Sequence, residues 1–178
     1  VIRRNCFKNG RYKSGSIGPR HSIILLKLGE NMKIVIGNDH AGFEIKQLVK
    51  DALYTSMMKK DDSTSFQDVG CNSLDSVHYP EYGKTVADWV ASEDADYGIL
   101  ICGTGIGMSM VANKVKGVRA ALCHDVYTAM MARQHNDANV LCMGARVLTP
   151  YQAINIARTF FETDFLGGRH GDRVKMID

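Results

Sequence analysis

The chain has 178 residues, 45% of them apolar and 23% charged, which is enough to bury one core without disulfide staples and short enough for a single domain. Its formal charge of +3 is uneven: residues 1–31 hold seven Lys/Arg against one acid, whereas the rest holds 15 basic and 18 acidic side chains. A slightly acidic body excludes a general nucleic-acid footprint, and the apolar run Ile23-Ile-Leu-Leu26 is too short for a membrane span or a secretory core.

Residues 1–31, rich in Gly, Ser, Arg and Lys, are expected to form a basic, disordered extension whose composition is also that of a transit peptide. Asn31-Met-Lys-Ile34 looks like the start of a domain covering 32–178. Cys6, Cys71, Cys102, Cys123 and Cys142 form no CxxC pair, and an odd count argues against a disulfide framework. A reduced, cytoplasmic protein is expected.

Lys33-Ile-Val-Ile-Gly37 predicts a first strand, and a helix near 42–54 follows with Phe43, Ile45, Leu48, Val49 and Leu53 on one apolar face. Ser65-Phe-Gln-Asp-Val69 is a weaker second strand. A helix from Pro80 to about 92 has its proline near the first turn and carries Val86, Trp89 and Val90. Tyr97 to Cys102 is a continuous apolar strand, the pattern of a strand buried on both faces. A helix near 105–115, a strand at 118–122, a helix over 125–134, a strand at 139–142 and a helix over 150–162 complete the pattern. Five βα units in succession predict a three-layer α/β/α, Rossmann-like domain with a five-stranded parallel sheet. In such sheets ligands sit outside the carboxyl ends of the strands.

Three segments concentrate chemistry there or near the chain end. Gly37-Asn-Asp-His-Ala-Gly42 places Asp39 and His40 at the rim, as an oriented base, a phosphate contact or, for Asp39, a helix cap. Ile101-Cys-Gly-Thr-Gly-Ile-Gly107 ends a strand on Cys102 and opens a glycine loop into a helix, where backbone N–H groups and the helix dipole favour negative charge. Cys102 is either a small buried hydrophobe or a thiolate facing a bound anion. The same loop holds two glycines of a dinucleotide fingerprint, with Asp125 about twenty residues on, but Met108 stands at the third glycine position. In Leu166-Gly-Gly-Arg-His-Gly-Asp-Arg173 a helix from Arg169 would project Arg169 and Arg173 from one face toward a phosphate, and Arg146 lies beyond the fifth strand. The six histidines are scattered without metal-ligand spacing.

Six co-linear segments resemble one family: Gly-Asn-Asp-His-Ala-Gly at 37–42, Ile-Cys-Gly-Thr-Gly-Ile-Gly-Met-Ser at 101–109, Ala-Asn-Lys at 112–114, Arg-Gln-His-Asn-Asp at 133–137, Gly-Ala-Arg at 144–146 and Gly-Gly-Arg-His at 167–170. Together they are similar to ribose-5-phosphate isomerase type B, of the RpiB/LacAB sugar-phosphate isomerase family. The likeness implies metal-free, cofactor-free interconversion of ribose 5-phosphate and ribulose 5-phosphate in the pentose phosphate pathway, by a homodimer or a dimer of dimers. It implies Cys102 as the base, where some members use a glutamate near Met108. It assigns the enediolate hole to the loop holding Gly103, Gly105 and Gly107, proton movement to Thr104, ring opening to His135 with Asp39, and sugar positioning to Asn136 and Tyr79. His40, Arg146, Arg169 and Arg173 would grip the phosphate. Close relatives act on allose or galactose 6-phosphate, and a flavodoxin-like phosphate or nucleotide sensor would share the glycine loop without needing Cys102 or His135. Asp39, His40 and Cys102 follow strands, whereas His135 and Asn136 precede one. If His135 opens the ring, the site is therefore expected to be shared between two chains.

Overall fold

The computed structural model describes residues 32–58 and 64–177; the extension expected over 1–31 lies outside them. Its strands are β1 (Lys33–Asn38), β2 (Ser65–Asp68), β3 (Tyr97–Cys102), β4 (Ala120–Leu122) and β5 (Val140–Gly144). They pair in parallel in the order β2-β1-β3-β5-β4. The helices are α1 (Phe43–Met58), α2 (Tyr79–Ala91), α3 (Ile106–Ala112), α4 (Val126–Asn136), α5 (Pro150–Glu162) and α6 (Arg169–Val174), with a 3-10 turn at His40–Gly42. This is the expected five-stranded parallel, three-layer architecture.

Side-chain alternation along β3 builds the two outer layers. Ile99 and Ile101 join the cluster containing Ile45, Val49 and Leu53 of α1, Ala129 of α4, and Ile156 and Phe160 of α5. Leu100 and Cys102 face the opposite side, against Val86 and Val90 of α2 and Met108 and Ala112 of α3. Strands buried on both faces have no polar side to present, which is why 97–102 is apolar throughout. The winding reverses beside β1: β2 lies on one side of it and β3 on the other. The loops after β1 and β3 therefore diverge, which is where sheets of this kind hold ligands, and Asp39 and Cys102 emerge there.

Two expectations need correction. The apolar period places Leu48 on the core face of α1, yet Leu48 is exposed and Lys46 is fully buried. The buried stripe passes through Ile45, Lys46, Val49 and Leu53, because Asp68 at the end of β2 supplies the Lys46 ammonium with a partner at 2.9 Å. Asp125, considered above as a ribose-binding acid, instead caps α4: its Oδ1 accepts the Thr128 N–H at 2.7 Å, and the Asp125 N–H donates back to the Thr128 hydroxyl. Helix α4 also runs two residues beyond its expected end and takes in His135 and Asn136.

Candidate active site

The carboxyl edge of the sheet brings one group of predicted residues together. Asp39 is 6% exposed, and its Oδ1 accepts the N–H groups of Ala41 at 2.9 Å and Gly42 at 3.1 Å. Of the readings open for Asp39, capping is thus realised, and it holds the carboxylate rigidly at the strand end. His40 follows, and its Nδ1 accepts the Val77 N–H at 3.3 Å. With Nδ1 engaged as an acceptor, Nε2 is the ring nitrogen left to act as a donor.

Cys102 ends β3 at 4% exposure, and its Sγ accepts the Gly105 N–H at 3.1 Å. The contact depends on glycine: residue 105 has φ of 78°, and a Cβ there would lie 2.9 Å from the Met143 carbonyl carbon. Within the loop the Ile106 N–H is also engaged, by the Thr104 hydroxyl at 3.3 Å. Tyr79 opens α2 and lies against Gly107 so closely that a Cβ at 107 would meet the ring at 2.6 Å. The Arg146 N–H donates to the Gly103 carbonyl at 2.9 Å, and its guanidinium lies over Gly103. Met108, near which some family members carry their glutamate, is fully buried in the core behind Cys102.

The second group sits at the other edge. His135 and Asn136 close α4, just before β5 begins. Leu166 donates its N–H to the Gln134 carbonyl at 3.1 Å, which brings the C-terminal segment to the same place. There His170 of α6 stacks on His135, with ring centroids 4.2 Å apart and planes within 4°. Arg169 and Arg173 are both exposed on α6, as the expected helix requires. A strand of five or six residues spans roughly 16–20 Å, so within one chain these residues lie far from Cys102.

Several supporting residues carry no sequence signal of their own. Asn38 is fully buried at the end of β1, where its Nδ2 donates to the Asp39 carbonyl at 2.7 Å and the Cys71 carbonyl at 3.3 Å. Lys46 donates to the same Cys71 carbonyl at 3.1 Å and to Asp68. Together they tie the segment that carries Val77 and Tyr79 to the rim of β1. The position of Asn38 inside the Gly37–Gly42 motif hints at its role, whereas nothing in the helical period marks Lys46. Cys123 and Cys142 are poor candidates for a base. Burial pushes the Cys123 thiol up to about 12, with Asp125 adding to the rise and Thr128 opposing it. Burial raises Cys142 well above the usual thiol range, reinforced by Cys123 and Cys102.

Comparison with known proteins agrees with the geometry. The family described as Ribose/Galactose Isomerase matches residues 34–177. A curated relative from Listeria innocua named ribose-5-P isomerase B is 44% identical over 147 residues, covering 83% of this chain and 95% of its own. The solved type B ribose 5-phosphate isomerase of Trypanosoma brucei is 46% identical with a TM-score of 0.77, covering 83% of this chain and 97% of that one. Ribose-5-phosphate isomerase B from Mycoplasma genitalium, solved with bound ribulose 5-phosphate, is 42% identical with a TM-score of 0.76, covering 83% and 95%. With a five-stranded parallel sheet and a family match over nearly the whole described domain, the chain belongs to the ribose/galactose isomerase family.

Proposed function

We propose that the protein interconverts D-ribose 5-phosphate and D-ribulose 5-phosphate through an enediolate, as a homodimer whose sites each draw on two subunits. The observation that carries the reading is Cys102, seated at the topological switch point with a backbone donor on its sulfur. Ring opening needs an acid and a base at the ring oxygen and the C1 hydroxyl, roles for His135 and Asp39. The Cys102 thiolate then takes the C2 proton and returns it to C1, while Thr104 assists transfer of the hydroxyl proton from O2 to O1. Charge on the enediolate oxygen is stabilised by N–H groups of the loop that includes Gly103, Gly105 and Gly107. Tyr79 and Asn136 line the sugar, and His40, Arg146, Arg169 and Arg173 hold the phosphate.

The shared site follows from the distance between the two edges. Ile106, Met110, Val126, Tyr127, Val147 and Tyr151, on or just before α3, α4 and α5, are exposed and offer apolar surface to a partner. A partner docked there supplies His135, Asn136, Arg169 and Arg173 to the crevice holding Cys102, and two-fold symmetry builds the second site by the same contact. We place the reaction in the cytoplasm, where a thiol base stays reduced; the four described cysteines are all free thiols. Among the described residues no helix is long and apolar enough to cross a membrane.

A coupled assay that follows ribulose 5-phosphate formed from ribose 5-phosphate tests the activity. Turnover abolished by Cys102→Ala supports it, and absence of turnover by the intact chain returns the loop to a phosphate-sensing role.

A further inference from the structure

His170 takes no part in the chemistry assigned above, yet it is the residue in closest register with His135. It is only 7% exposed, although its neighbours Arg169 and Arg173 on the same short helix are exposed. Its ring lies parallel to that of His135 at 4.2 Å between centroids, a flat face-to-face contact rather than an edge contact. The two rings belong to different elements, α4 and α6, and the Leu166 N–H bond to the Gln134 carbonyl fixes the approach of one to the other. A half-buried imidazole at the last turn of a helix has two free torsions, and a planar wall against one face removes most of that freedom.

We infer that His170 is a positioning residue for ring opening: stacked on His135, it fixes the plane in which that imidazole meets the sugar ring oxygen. The inference rests on His135 being the ring-opening group. Burial first, then the positive charge of His135 from α4 and of Arg169 and Arg173 from α6, holds His170 below the ordinary imidazole range. His170 is therefore biased toward its neutral form, a flat wall beside His135.

The test uses four variants of the full chain, His170→Ala, His170→Phe, His135→Ala and the double alanine, each checked for a melting transition before kinetics. His170→Ala should lower kcat for ribose 5-phosphate roughly tenfold or more, because a loosened catalytic ring is misplaced, with KM within about twofold of wild type. His170→Phe keeps a flat wall and should restore kcat to within about threefold of wild type. In the His135→Ala background, removing His170 should cost nothing further, since a residue acting through another has no independent effect. Wild-type kcat in His170→Ala beside an impaired His135→Ala overturns the role of His170 and leaves that of His135 standing. A fully additive double variant, or a loss confined to KM, overturns it as well, by assigning His170 to the arginine grip. Wild-type turnover in His135→Ala overturns the ring-opening reading itself, and the inference with it.

Discussion

At Cys102, the group proposed as the base, the sulfur accepts the Gly105 N–H at 3.1 Å. Cys102→Ala removes little volume, so the melting temperature should stay near wild type while kcat falls on the order of a hundredfold or more. A residual rate within about threefold of wild type would assign the proton to another group. Gly105→Ala probes the donor. Its φ of 78° and its contact with the Met143 backbone make the substitution strained by roughly 1–3 kcal/mol, and relief of that strain turns the N–H away from sulfur. Both stability and kcat should drop. Gly117→Ala is the control: φ is 82° but nothing lies within 4 Å, so it should lose stability and keep kcat. Arg169→Ala and Arg173→Ala should each raise KM, since one charge-assisted contact to phosphate is worth about 1.5–3 kcal/mol. Unchanged steady-state kinetics in both would return these arginines to solvent.

Among the elements, β2 is the least secured by apolar burial. Its side chains alternate between exposed and half-buried, and it pairs only with β1. Ion pairs at its end compensate: Asp68 accepts from Lys46 at 2.9 Å, Lys50 at 3.1 Å and the Gly70 N–H at 3.1 Å. Burial by itself would raise the Asp68 carboxyl, but these donors outweigh it and hold the group below 3.8. A depressed folded-state value means that the stabilisation is present above the unfolded value and is lost as pH falls through the folded one. Unfolding free energy from urea titrations should therefore decline from about pH 5 downward, and Asp68→Asn should flatten that decline. An unaltered acid profile in Asp68→Asn would place the acid sensitivity in other carboxylates.

For the whole molecule, the decisive experiment mixes two dead variants, Cys102→Ala and His135→Ala, by co-expression or subunit exchange. If each site draws on two subunits as proposed, a dimer containing one of each has one site with both residues intact. Random pairing should then restore about a quarter of the wild-type rate. Verified mixed dimers that stay as inactive as their parents would remove either the shared site or the role of His135.

The α/β class and the parallel sheet were legible in the chain, because each rests on local period: strand runs at 97–102 and 139–142, helical spacing between them, and glycines at the turns. The motif residues were legible too, since Asp39, His40 and Cys102 sit within a few positions of a strand end and need only that strand to be placed. Tertiary structure alone decided which groups meet across long separations. Lys46 is buried because Asp68 and the Cys71 carbonyl arrive from 22 and 25 positions away, and His170 faces His135 because the chain returns along α5 to the end of α4. Local spacing sets which face of an element is apolar. The partners of a buried charge or a stacked ring are set by packing between elements, which a one-dimensional period does not encode.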